Sequence, residues 1–203
     1  MNIEDQKYSG YSKEKNLATI ATFSGLLIAP CCLKPEDINL GDIIHALSNK
    51  CRFTGHSREF YSVAQHSVLV SKTAVKLLPK HSSKSVKNMV RAWGALHDGD
   101  EYCTPDLPTP LKVLPEYKFL KELGIEIRMM IMKKYGLPLE EPEEVQLADK
   151  IVLATEKRDL MNNPINGSWA VKLPDPLDKI IVPLSPKKAK RYFENYLKKL
   201  NCI

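Results

Sequence analysis

Apolar positions recur along most of the chain at helical rather than alternating spacing. Ile43, Ile44, Ala46 and Leu47 predict a short helix over 42–50, after the turn-like Lys34-Pro35-Glu36-Asp37. A longer helix is predicted over 62–78, closed by Pro79. A third starts at Ser83 or Ser85, whose hydroxyls can accept from the free N–H groups of a first turn. Its stripe is Val86, Met89, Val90, Trp93 and Leu96, and it ends near Asp98-Gly99. Pro105, Pro108, Pro110 and Pro115 predict an irregular, stiff loop over 104–115, because proline lacks the donor a helix needs. Two more helices are predicted over 115–135 and 142–161. Residues 169–173 and 179–182 are the only plausible strands, a small hairpin. Ser185-Pro186 then opens a last helix over 187–200, serine capping and proline in the first turn. The fold class expected is all-α with a minor β-hairpin near the C-terminus.

Polar residues interrupt this pattern where apolar ones belong. His66 has Val63, Leu69 and Val70 on its own stripe, and Asp149 has Val145, Val152 and Leu153. His97 follows Trp93 by one turn, with Asp98 beside it. An ionised aspartate facing a core is costly unless a cation or donors meet it. Taken singly, each has a structural explanation: a satisfied core histidine, a salt-bridged aspartate. Two histidines and two aspartates on three helices together suit one divalent ion, Zn²⁺, Mn²⁺, Fe²⁺ or Co²⁺. Glu101 lies four residues after His97; were the helix to continue one turn, it would stand over that ion and could take a proton from the attacking water. Asp106 follows in the proline-stiffened loop.

Composition narrows the setting. The chain has 203 residues, 43% of them hydrophobic and 27% charged, enough to bury a core. The expected organisation is a polar arm over 1–20 and one domain over 21–203, with the metal core at about 40–161 and the C-terminal helix at 185–200. Lys+Arg 30 against Asp+Glu 24 gives a net charge of +6. That balance allows phosphorylated ligands, but the basic C-terminal helix reads better as a solvated amphipathic helix, so nucleic acid is not the expected partner. No apolar run approaches a membrane span, Met1-Asn2-Ile3-Glu4 does not read as a signal peptide, and the five cysteines show no C-x-x-C spacing. A cytoplasmic protein with no membrane partner is expected, in the host cell if phage-encoded.

The H…HD…D pattern of His66, His97-Asp98 and Asp149 resembles the HD-domain metal-dependent phosphohydrolase superfamily, and its context sharpens the likeness. Tyr61-Ser62-Val63-Ala64-Gln65-His66-Ser67-Val68 is similar to the S-V-x-x-H-S segment of the YfbR-type 5'-deoxynucleotidases and their phage relatives. Leu96-His97-Asp98-Gly99-Asp100-Glu101 with Asp106-Leu107-Pro108-Thr109-Pro110-Leu111-Lys112 resembles their H-D-x-x-E…D-L-P-T-P-x-K block, and Ala148 to Glu156 their distal metal-ligand helix. Pro35-Glu36-Asp37-Ile38, Asp42 to Ser48 and Cys51-Arg52-Phe53 are most similar to phage HD phosphohydrolases that include the dATP triphosphohydrolases of viruses with 2-aminoadenine genomes. The likeness covers roughly residues 25 to 170.

The resemblance implies an HD helical bundle, metal ligation by His66, His97, Asp98 and Asp149, and Glu101 as catalytic carboxylate with Asp106 as a second acid. It implies that Arg52 holds phosphate or base, that Lys112 pairs with phosphate and that Phe53 stacks on the base or sugar; His56, in the same loop, reads equally as a phosphate contact or as a solvent-exposed histidine. The metal would be Zn, Co or Mn, with further Mg or Co ions entering on the substrate phosphates and Asp100 and Asp106 able to hold them. Gly99-Asp100 departs from the usual small residues and adds a negative charge beside the metal; Phe53 in place of the deoxynucleotidases' Trp, and Gly55 leaving the adjacent pocket position bare, bear on base selectivity and not on the metal set. The expected activity is dATP or dNTP triphosphohydrolysis, favoured over 5'-deoxynucleotidase action on dNMPs by the phage-type upstream pattern. A rival of another class is an inactive nucleotide- or nucleic-acid-binding regulator. A homo-oligomer is expected by the same likeness.

Overall fold

The computed structural model describes residues 19–163, 169 and 172–200. The arm predicted over 1–20 lies almost entirely outside them. Among the described residues there are seven α-helices: α1 Leu40–Asn49, α2 Val63–Leu77, α3 Lys84–Leu96, α4 Thr109–Lys112, α5 Lys118–Lys134, α6 Glu143–Leu160 and α7 Pro186–Lys198. The class is all-α. None of these helices is long and apolar enough to cross a membrane.

The helix ends follow local chemistry. Asn39, Ser62 and Ser83 cap α1, α2 and α3 by accepting from Gly41 N–H, Gln65 N–H and Val86 N–H. The 104–115 segment is mostly irregular, interrupted by the one-turn α4.

α2 lies at the centre, packed against α1, α3, α6 and α7. Its residues Val63 to Val68, with Val70, Ser71, Thr73 and Ala74, are buried, as expected of a helix enclosed on most sides. Its contact with α3 is close because Gly94 has no side chain: a Cβ there would stand 2.9 Å from Ser71 Cα. Trp93 packs in the core and donates its indole N–H to Pro138 O at 2.9 Å. On α7 the apolar face is Phe193 and Leu197, buried, with Tyr192 and Tyr196 partly covered.

The predicted C-terminal hairpin is a correction. The two-stranded antiparallel sheet pairs β1 Ile20–Ala21 with β2 Leu27–Ile28, at the other end of the chain. Residues 179–182 are not a strand, and 170–171 of the other predicted strand lie outside the described residues. The physical reason is that helix side chains bond this segment's backbone. Leu177 N–H donates to Thr155 Oγ1, Ile181 N–H to Asp159 Oδ2 and Leu184 N–H to Gln65 Oε1, while Val182 O accepts from Gln65 Nε2. An extended strap over α2 and α6 therefore replaces a strand pair.

Candidate metal centre and its carboxylates

Four predicted ligands come together from three places. His66 sits in the first turn of α2, fully buried; His97 caps the C-terminus of α3; Asp98 begins the 3-10 turn Gly99–Tyr102; Asp149 lies in the middle of α6. His66 Nε2 is 3.2 Å from His97 Nε2, 3.1 Å from Asp149 Oδ1 and 3.6 Å from Asp98 Oδ2. His97 Nε2 is 3.3 Å from Asp98 Oδ2 and 4.0 Å from Asp149 Oδ1. Asp149 forms the open side, its side chain 42% exposed.

The outer nitrogens decide what the inner ones can do. His97 Nδ1 donates to Gly94 O at 2.8 Å, and His66 Nδ1 donates to the buried carboxylate of Glu156 at 2.6 Å. Both neutral rings then turn an unprotonated Nε2 inward, as metal-binding imidazoles do. Two Nε2 atoms 3.2 Å apart, beside two carboxylates, make a cluster that a cation satisfies, either a metal ion or a proton on His66 directed to Asp149 Oδ1 at 3.1 Å. Nitrogens each about 2.1 Å from one ion at tetrahedral to octahedral angles stand roughly 3.0–3.4 Å apart, so the spacing fits. The buried cluster of His66, His97 and Asp98 could hold a metal ion.

The electrostatics agree. Burial alone would lower the His66 pKa, yet Glu156 and Asp149 raise it to about 9, so without an ion the cluster draws a proton instead. Burial lowers His97, whose neighbour His66 then carries that charge. Against burial, the His97 and His66 imidazoles with Arg52 hold Asp98 far below the ordinary carboxylate range. Asp98, Asp100, Glu101, Asp106, Asp149 and Glu156 stand around this centre against Lys50, Arg52 and Arg128.

Glu101 is on the 3-10 turn, not on a continued α3: the helix stops at Leu96, so the expected one-turn alignment with His97 is replaced by a tighter turn. The carboxylate is still buried, and its Oε2 has no hydrogen-bond partner among the described residues. Burial first, then the charges of Asp98 and Asp106, push its pKa well above the usual value.

No family model matches the chain. It is 39% identical over 177 residues to the uncharacterized protein YfdR of Escherichia coli, a match covering 85% of this chain and 90% of that protein. The chain belongs to the YfdR family. A second relative, an uncharacterized protein of Rhodobacter capsulatus, is 30% identical over 118 residues, 57% of each chain. Neither name states an activity.

The other predicted site residues of this YfdR-family chain are placed as follows. Arg52 donates to Asp98 Oδ2 at 3.4 Å and to Glu156 Oε2 at 3.2 Å; its buried Nε–H has no partner among the described residues. It therefore braces the ligand set as well as facing it. Phe53 is half-buried, while Gly55 and His56 are exposed on the same loop. Asp106 acts electrostatically on Glu101 and Lys50. Lys112 is exposed on α4, with no ion pair among the described residues. Asp100, expected as a holder of further metal, is a correction. Its carboxylate pairs with Arg128 Nε of α5 at 3.0 Å, and its other oxygen occupies the space that Gly124 leaves open.

Two residues were missed. Glu156 lies seven positions after Asp149, two helical turns along the same face, and that spacing was a readable signal. Lys50 is the other. Arg52 N–H donates to Tyr61 O, and Val63 N–H to Lys50 O, making a short antiparallel ladder centred on Cys51 and Ser62. In such a ladder residues i and i+2 share a face, so Lys50 and Arg52 point the same way. Lys50 Nζ donates to the backbone carbonyls of Glu101 and Thr104, clamping the turn that carries Glu101.

Proposed function

We propose that this YfdR-family chain is an HD-type, metal-dependent deoxynucleotide phosphohydrolase that converts dATP or another dNTP to deoxynucleoside and triphosphate. The observation that carries the reading is the pair of inward Nε2 atoms on His66 and His97, closed by Asp98 and Asp149, beside Glu101, whose buried Oε2 has no hydrogen-bond partner among the described residues. Zn, Co or Mn would be held by those four side chains and would supply Lewis acidity toward a phosphoryl oxygen and toward water.

The chain's own residues perform the rest. Glu101, its basicity raised by burial and by the charges of Asp98 and Asp106, accepts the proton of the attacking water. Oxygen joins the α-phosphorus as the bond to the 5'-oxygen breaks, and the proton passes on to that leaving oxygen. Arg52, whose guanidinium lies against Asp98 and Glu156, supplies positive charge beside the phosphoryl oxygens. Lys112 and His56 are the exposed groups that could follow the outer phosphates. A Mg or Co ion entering on the triphosphate would lessen its repulsion from the surrounding carboxylates.

The test is chromatographic product analysis with all four dNTPs and dNMPs in the presence of Mn²⁺ or Co²⁺. Deoxynucleoside plus triphosphate is expected from dATP. His97→Ala and Asp98→Ala should lose bound metal and on the order of 100-fold or more in rate, since Lewis-acid stabilisation amounts to several kcal/mol. Full activity in either variant overturns the metal assignment. Binding without turnover of any nucleotide would favour the regulator instead.

A further inference from the structure

Glu156 is fully buried on α6. A carboxylate without access to water is costly unless donors meet its oxygens. Here each oxygen has one. Oε1 accepts from His66 Nδ1 at 2.6 Å, and Oε2 accepts from Arg52 Nη2 at 3.2 Å. The same guanidinium turns Nη1 to Asp98 Oδ2 at 3.4 Å. Two members of the ligand set are therefore joined from behind: His66 to Glu156, Glu156 to Arg52, and Arg52 to Asp98. The link crosses α2, α6, the ladder at Cys51 and Ser62, and the 3-10 turn.

A positive charge beside a divalent ion repels it, so an arginine placed only for a substrate phosphate lowers the affinity of the site for its metal. A guanidinium that engages two acids at once works the other way. It holds Asp98 directly and the His66 ring through Glu156, in the pose an ion needs. We propose that Arg52 and Glu156 are positioning residues that act as one unit, and that this brace, outweighing the repulsion, sets the affinity of the ligand set for its metal. The resemblance gives Arg52 to the substrate; the two carboxylates give it a task that needs no substrate. The proposal rests on the reading of the four side chains as a metal site and not on the identity of the nucleotide.

The test is Zn²⁺ binding by the full-length chain without nucleotide, measured by equilibrium dialysis, with the thermal midpoint of the metal-free protein as the check on folding. Arg52→Lys keeps the charge but has no fork to span two acids. It should weaken Zn²⁺ binding about 10–100-fold, the usual cost of losing a group behind the ligands. Arg52→Met alone would leave the buried Glu156 charge unpaired, so the second variant is Arg52→Met with Glu156→Gln, which removes both charges. This double variant should also lose about 10–100-fold, and no more than Glu156→Gln by itself, because the parts of one unit are not additive. Zn²⁺ bound by Arg52→Lys or by the double variant as tightly as by the wild type, or more tightly, overturns the brace. A larger loss in the double variant than in Glu156→Gln overturns the single unit. A lowered midpoint with unchanged Zn²⁺ affinity would make the pair a structural salt bridge and overturns the proposal as well. Wild-type protein that takes up no Zn²⁺ removes the metal reading and the brace together. The expected losses without turnover of any nucleotide would sink the hydrolase reading alone.

Discussion

Glu101 is an acid held where an acid is costly. Its folded-state pKa lies above its unfolded value, first because it is buried and then because Asp98 and Asp106 repel its charge. Above the unfolded value the carboxylate is ionised in the unfolded chain, and folding must bury or protonate it, so the group subtracts from stability at neutral pH. Glu101→Gln is therefore expected to raise the thermal midpoint at pH 7 while lowering the hydrolytic rate roughly 10²–10⁴-fold, the usual worth of a general base. Melting curves and initial rates measured on the same preparation check both. A lower midpoint would make Glu101 a structural residue. At this scale His66 and Asp149 could be read as polar residues on apolar stripes, whereas the helical alignment expected of Glu101 with His97 gave way because α3 stops at Leu96. Lys50 could not be read, because its link to Glu101 and Thr104 spans a gap of fifty residues and runs to backbone carbonyls, which carry no sequence signal.

Helix boundaries were legible to within a few residues where serine caps or prolines mark them, as at Ser62, Ser83 and Pro186. The packing of one helix on another was not. Gly94 is the point where α3 meets α2, and its carbonyl also orients His97. Gly94→Ala places a methyl 2.9 Å from Ser71 Cα. A loss of about 1–3 kcal/mol is expected from overpacking, seen in urea unfolding, with weaker metal binding because His66 and His97 separate. Unaltered metal affinity at reduced stability would show that the ligand set absorbs the shift. The strap over α2 and α6 misled the strand prediction because alternating apolar residues satisfy an extended segment whether its partner is a strand or a row of side chains. Asp159 fastens this strap at Ile181, and the hydrogen bond from Arg158 holds its pKa below the usual value. That contribution is complete above the unfolded value of about 3.9 and is lost as pH falls through the lower folded one. Asp159→Asn should destabilise the protein at pH 7 and converge with wild type as pH falls through the lowered folded-state pKa. An equal gap on either side of that pKa would remove the charge from the account.

For the whole molecule, the ligand set ties α2, the end of α3 and α6, and these elements are far apart in sequence. An ion bound there binds the folded chain and not the unfolded one, so it should stabilise by about 2.7 kcal/mol at a hundredfold excess over its Kd. For a chain of this size that is a rise of roughly 5–10 °C in thermal midpoint, reversed by a chelator and restored by adding the metal back. The His97→Ala variant should show no such response. Insensitivity of the wild-type midpoint to both treatments would argue that the four groups serve only one another.

Periodicity and capping by themselves determined the helices, because both are local: a 3.6-residue stripe and a hydroxyl three residues from an open N–H need no distant partner. They also exposed His66 and Asp149 as polar side chains on apolar faces, because desolvation makes such residues conspicuous. Which nitrogen of each histidine turns inward, that Glu156 and Gly94 O set that choice, that Asp100 pairs with Arg128, and that Arg52 reaches both Asp98 and Glu156 were decided only when the helices packed. Each of those depends on a distance between chain segments, and distance through space is what a linear sequence does not encode residue by residue.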